Sequence, residues 1–227
     1  MEKVLFCWSG GKDSALALYE LQGSGKYEVV SLLTTITSDY DRVTMHGVRR
    51  ILVEQQAGSL GLPLHEVFIS RSSSNEEYDA KMKGSLNGFQ QEGVSLVAFG
   101  DISLEDVRKY REDNLAKVGM KGLFPLWGRN TAELAQSFIR LGFQAVVSCI
   151  DSRVLDKKFL GRELDKDFWA ELPPNVDHSG ENGEFHSFVY NGPIFKQRIG
   201  YTLGESVLRD SFYFCDLLPN VGVVNNA

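Results

Sequence analysis

Short apolar runs alternate with longer segments of helical period along the first two thirds of the chain. Val4–Trp8, Glu28–Thr37, Leu64–Ile69, Ser95–Ile102 and Ala145–Ile150 are apolar on successive positions and rich in β-branched residues, the pattern of strands buried on both faces. Between them Ser14–Gln22, Val48–Leu60, Glu76–Gln91, Leu104–Val118 and Thr131–Leu141 carry helical spacing. Asn130, with Glu133 three residues on, fits a helix N-cap at the last of these, although Thr131 could also serve. The rhythm predicts an α/β fold: a doubly wound, parallel, five-stranded sheet, whose ligand would sit beyond the carboxyl ends of the strands.

After Asp151 the pattern breaks. Residues 151–190 hold 9 acids against 5 bases, include Pro173-Pro174, and end in a strand-like run, Phe185–Tyr190. The expected organisation is a ligand-binding domain over residues 1–150 and a smaller α+β lobe over residues 151–227, without a polar linker or an internal repeat.

Composition narrows the classes. With 30 acids against 24 bases the formal charge is −6, which argues against a protein that grips nucleic-acid phosphates. A hydrophobic fraction of 43% argues against disorder. No apolar run approaches the length of a membrane span, and Val4–Trp8 is too short for a signal-peptide core. The three cysteines are widely spaced, as suits a reducing cytoplasm, and give no zinc pattern.

The chemistry concentrates where the first strand ends, at Ser9-Gly10-Gly11-Lys12-Asp13-Ser14. Two glycines permit a tight turn, the following helix start offers free N–H groups, Lys12 adds a cation, and Ser9 and Ser14 add hydroxyls. Asp13 would repel a bare phosphate and makes sense beside a metal ion or as a cap. The spacing is neither a Walker A loop nor a dinucleotide fingerprint.

SGGKDS after a first strand resembles the pyrophosphate loop (PP-loop) of the ATP pyrophosphatases, an adenine-nucleotide α-hydrolase-like fold. His46-Gly47-Val48, Gly100-Asp101-Ile102, Phe124-Pro125-Leu126-Trp127, Leu160-Gly161-Arg162-Glu163-Leu164 and Gly180-Glu181-Asn182-Gly183-Glu184-Phe185-His186-Ser187-Phe188 resemble, in order, the signatures of the diphthine–ammonia ligase (diphthamide synthetase) family. The resemblance implies a cytoplasmic, ATP- and Mg²⁺-dependent ligase that adenylates a carboxylate, lets ammonia displace AMP, and releases pyrophosphate. Its acceptor would be a protein like elongation factor 2 or a small carboxylate; membrane partners are not expected, nucleic acid is disfavoured, and a homodimer is compatible.

On that reading Lys12, Asp13, Glu181 and Glu184 are the expected catalytic residues. Ser9, Gly10, Gly11, Lys12, Ser14, Thr34, Thr35 and His46 are expected to hold the nucleotide, Arg162, Asn182 and His186 the substrate, and Asp13 the metal. Glu181 and Glu184, three apart on a glycine-bent backbone, would receive the ammonium or its proton; an ordinary solvated turn is the competing reading. His178 and His186 are too poorly spaced for a metal pair, and Cys7 and Cys149 are expected to be packing residues. Two rivals remain: a PP-loop enzyme acting on tRNA or a metabolite, and a protein that holds ATP or AMP without turnover.

Overall fold

A computed structural model describes residues 1–220. The first sheet contains β1 (Glu2–Cys7), β2 (Tyr27–Thr37), a two-residue β3 (Arg42–Val43), β4 (Leu64–Ile69), β5 (Leu96–Ala98) and β6 (Lys121–Leu123). Its parallel strands run in the order β4, β2, β1, β5, β6, and β3 pairs antiparallel to the end of β2. The helices between them are α1 (Lys12–Gly23), α2 (Arg50–Leu60), α3 (Asn75–Gln91) and α4 (Glu105–Ala116).

The double winding follows from β1. Val4, Leu5 and Phe6 are completely buried. Val4 and Phe6 pack with Leu16 and Leu18 of α1 and Leu52 of α2, while Leu5 points to the opposite face with Leu86 of α3 and Leu115 of α4. Because neighbouring side chains leave a strand on opposite faces, an unbroken apolar triplet requires cover on both. The strand order reverses at β1, with β2 on one side and β5 on the other, so the loop after β1 lies at a topological switch point, where ligands of such sheets bind.

One expected strand belongs elsewhere. Ala145–Ile150 does not close the parallel sheet; it lies in β7 (Gln144–Asp151), in a second, antiparallel sheet. The fifth parallel strand is β6, three residues long and containing Lys121 and Gly122, too short and too weakly apolar to register as a pattern. Burial of β7 on both faces gives the same apolar run that a central parallel strand would give.

The second sheet has the order β8 (Phe185–Asn191), β7, β10 (Phe212–Pro219), β9 (Tyr201–Arg209). Leading into it are α5 (Thr131–Arg140), capped by Asn130 through a 3.1 Å bond from the Glu133 amide, and, between β7 and β8, a short turn at Lys157–Phe159 and α6 (Lys166–Glu171). The smaller lobe expected over 151–227 thus builds its sheet from Gln144 onward, and residues 221–227 lie outside the described part of the chain. Phe185 and Phe188 of β8 share one apolar cluster with Leu16 and Leu52, so the second sheet is seated against the first domain's α1–α2 layer.

Candidate active site at the phosphate loop

Gly10 sits at φ +79°, and a Cβ there would lie 2.6 Å from Gln56 Oε1. Gln56 is fully buried in α2 and cannot easily retreat. It accepts from Trp8 Nε1 at 2.9 Å and donates from Nε2 to the carbonyls of Gly10 (3.0 Å) and Val189 (2.6 Å). The Val189 amide also donates to Gly10 O at 2.9 Å. The turn is therefore locked from α2 and from β8 at once. Gly11 precedes α1 and offers no capping side chain. The first-turn amides of α1 therefore have no partners within the helix, and those of Asp13 and Ser14 remain available to an anion. Ser9 Oγ accepts from the Gly11 amide (3.2 Å) and donates to Ser14 Oγ (3.2 Å), whose hydroxyl donates to Gly11 O (2.9 Å).

Lys12 is only 4% exposed. Its Nζ meets Asp13 Oδ2 at 2.8 Å, donates to the Ser179 carbonyl, and lies 5.1 Å from the centre of the Phe185 ring. The Lys12 amide donates to Ser187 Oγ at 3.1 Å. The second lobe thus roofs the loop, and the resulting cleft has a volume of about 480 Å³. Gly100, just beyond β5, passes so close to α1 that a Cβ would lie 2.9 Å from the Ser14 nitrogen.

Burial raises the Asp13 carboxyl pKa above its ordinary value, while Lys12 opposes the shift. Asp13 Oδ1 and Ser179 Oγ are buried without hydrogen-bond partners, and both residues line the cleft. Two unpaired oxygens beside an anion site fit Mg²⁺, which needs only one or two protein carboxylates when phosphate supplies further ligands. Among the described residues no cluster of three or more acidic, histidine or cysteine side chains forms an all-protein metal cage.

The structure divides the remaining expected site residues. Glu181 reaches the cleft, with Oε2 held by the amides of Ile102 (3.2 Å) and Ser103 (2.7 Å) and by Ser103 Oγ (2.9 Å). Burial raises its pKa, the Ser103 hydrogen bonds pull the other way, and the nearby Asp13 adds to the rise. Glu184 does not lie free at the cleft as expected. It is 4% exposed and accepts from the Asp177 amide (3.1 Å), the Asn182 amide (3.0 Å) and Asn182 Nδ2 (3.0 Å), so its carboxylate is consumed in shaping its own loop. Asn182 serves that clasp and is likewise absent from the cleft wall. Arg162 pairs with Glu171 at 2.8 Å, outside the cleft. Thr35 lines the cleft, whereas the buried Thr34 donates its hydroxyl to Trp8 O behind it. Arg49 is bound by Asp216 through two hydrogen bonds of 2.9 and 2.7 Å.

Several contributors were not among the expected site residues. Gln56 and Ser187 act through contacts across 46 and 175 residues. Arg111 and Asp101 form a bidentate pair (2.5 and 3.1 Å) on the cleft wall beside Cys7. Burial pushes the Cys7 thiol up to about 12, which removes it as a nucleophile at neutral pH.

His46 and His186 face one another across the lobe junction with ring centres 4.5 Å apart. Burial drives the His46 pKa down to about 4, a hydrogen bond with Ser187 O opposes it, and Lys12 adds to the fall. His186 is lowered for the same first reason, then by His46 and Lys12. In the unfolded chain both imidazoles protonate near pH 6.5, before they do in the fold. Their contribution to stability is therefore complete above that pH and is lost as pH falls from about 6.5 toward about 4. Urea midpoints should drop between pH 7 and pH 5, and His46→Gln should flatten that drop; an unchanged slope would argue against the buried neutral pair.

A glycine-bent turn at the switch point of a parallel sheet, followed by a helix start and a buried lysine and lacking Walker spacing, makes this an α/β protein with the loop geometry expected of the PP-loop class. Comparison with known proteins narrows it further. Residues 2–122 match the diphthamide synthase N-terminal domain and residues 130–217 the diphthamide synthase C-terminal domain; the chain belongs to the diphthamide synthase family. It is 28% identical over 237 residues to the diphthine–ammonia ligase of Schizosaccharomyces pombe, covering 95% of this chain and 38% of that protein. To the diphthine–ammonia ligase of Homo sapiens it is 27% identical over 232 residues, covering 91% of this chain and 85% of the human protein. The chain thus spans well under half of the fission-yeast relative and most of the human one. Among solved structures, a predicted subunit of tRNA methyltransferase from Methanocaldococcus jannaschii is 18% identical, with a TM-score of 0.43 over 63% of this chain and 77% of that one. No helix among the described residues is long and apolar enough to cross a membrane.

Proposed function

We propose that the chain is a cytoplasmic ATP pyrophosphatase that adenylates a carboxylate and amidates it with ammonia, releasing AMP and pyrophosphate. The relatives' name points to diphthine as the acceptor, and a protein like elongation factor 2 is the carrier that the motif resemblance implies. The observation that carries this reading is the buried Lys12 held at the start of α1, with the second lobe closing over it, in a chain whose two halves both match the family.

The roles follow from position. The amides of the Gly10–Ser14 turn, Lys12 Nζ and the hydroxyls of Ser9 and Ser14 take the β- and γ-phosphates, neutralising the leaving pyrophosphate. Asp13 Oδ1 and Ser179 Oγ would hold Mg²⁺, which when bound screens phosphate charge. Thr35 borders the nucleotide at the carboxyl end of β2. Glu181 is the carboxylate positioned to receive a proton from ammonium: one oxygen is fixed by Ile102 and Ser103, and burial raises its basicity.

Incubation with ATP, Mg²⁺, ammonium and diphthine-bearing elongation factor 2 should yield AMP and pyrophosphate in step with amide formation. Release of ADP and phosphate would reject the assignment. Tight ATP binding with no AMP formed across a panel of acceptors would instead make the chain a nucleotide-holding protein.

A further inference from the structure

A second groove, of about 500 Å³, lies beside the nucleotide cleft. One wall comes from the segment around β3 and the start of α3, the other from the β9–β10 hairpin. Val43, Thr44, Met45 and Tyr78 line both cavities, so the groove adjoins the cleft along these four residues. Met45, at the junction, is 64% exposed and held at φ +67°. A non-glycine residue in this region is strained and persists where surrounding structure demands it.

The groove's chemistry differs from that of the cleft. Its floor is apolar, with Ile69, Phe212 and Phe214, and Arg42, Arg71 and Arg209 line it against two acids, Asp210 and Asp216. Arg42 is spent on Asp216, and Arg71 lies 3.7 Å from Asp210, which leaves Arg209 without an acidic partner among the described residues. Arg209 lies 4.2 Å above the centre of the Tyr40 ring, and Arg71 donates to the Tyr40 hydroxyl at 3.0 Å. In a chain of net charge −6 this is a cationic, aromatic recess.

Its rim is larger than a small molecule needs. Tyr40, Met45 and Val207 are 37, 64 and 41% exposed. Val207 and Leu208 lie on β9, which among the described residues is the outermost strand of its sheet and has an unpaired edge. An exposed apolar edge strand bordering a cavity is a surface built for another polypeptide.

We propose that this groove is the acceptor site: a carboxylate-bearing side chain on a folded protein reaches through it into the nucleotide cleft, while that protein's body seats on β9 and the Tyr40–Met45 rim. The inference rests on the functional reading above and moves the acceptor end away from the 181–184 loop, where the sequence pattern located it. Arg209 draws the carboxylate inward, and the apolar floor takes the stem that carries it.

The test uses the full chain, ATP, Mg²⁺, ammonium and purified diphthine-bearing elongation factor 2. Val207→Glu and Arg209→Glu should each raise the KM for the factor at least ~10-fold, the size of effect expected for disrupting a buried interface contact, and leave the KM for ATP unchanged. Lys26→Glu, at the amino end of β2, should alter neither. An unchanged KM for the factor in both groove variants overturns the acceptor site alone. An equal rise in the KM for ATP also overturns it, because the groove would then serve the nucleotide or the fold. Wild-type protein that binds ATP but forms no AMP with the factor overturns the functional reading, and the acceptor site with it.

Discussion

Lys12→Met is expected to lower kcat/KM for AMP formation by about 10²–10³-fold, the cost of removing one preorganised group that stabilises transition-state charge. Methionine keeps the length of the stem under Phe185 and so separates the charge from the packing. Two effects add. The cation that meets the leaving pyrophosphate disappears, and Asp13, now without its 2.8 Å partner, faces the phosphates as an uncompensated carboxylate. Lys12→Arg should rescue little, because a planar guanidinium cannot replace a compact ammonium enclosed by Asp13, the Ser179 carbonyl and the Phe185 ring. A pyrophosphate-release assay over an ATP titration measures the loss. Activity within threefold of wild type in Lys12→Met would remove the loop lysine from the mechanism.

That prediction rests on a feature readable from six consecutive residues, and the contrast with the rest of the site is instructive. The loop could be recognised because each of its parts, two glycines, a lysine and a helix start, acts locally. The parallel sheet was legible for a related reason: β1 and β2 carry their two-sided burial in their own sequence. What the pattern could not show is pairing. Ala145–Ile150 looks like a parallel strand because burial on both faces produces the same run in either sheet, and only the antiparallel register of β7 with β8 and β10 distinguishes them. The site's locks were hidden for the same reason. Gln56, Ser187 and Ser179 acquire meaning only when chain segments 46 to 175 residues apart come together. Arg162 and Glu184 mislead in the opposite sense: charged residues within a family-like motif attract a chemical role, and local partners have already used their charge.

Glu184→Ala provides the sharpest separation of those two kinds of role. A proton acceptor at the cleft would, on truncation, lose turnover while stability and ATP affinity stayed as they were. The observed geometry demands a different result. The Glu184 carboxylate takes the Asp177 amide, the Asn182 amide and Asn182 Nδ2, all within 3.1 Å, from a side chain that is 4% exposed. Removing it leaves three donors without their acceptor, at about 1 kcal/mol each, so stability should fall by roughly 2–4 kcal/mol. The damage then spreads to the cleft. Asp177, whose amide Glu184 holds, itself accepts from the Ser179 amide at 2.8 Å and the Glu181 amide at 3.2 Å. Those two residues carry the carbonyl that meets Lys12 and the carboxylate that faces the nucleotide. A loosened loop therefore raises the KM for ATP along with lowering kcat, and the two should move together with the urea midpoint. Glu184→Gln should fall between, because its amide oxygen can still accept while its NH₂ confronts donors. If Glu184→Ala instead keeps the wild-type midpoint and ATP affinity and loses only turnover, the side chain is a proton acceptor after all, and the loop must hold its shape by Asp177 alone.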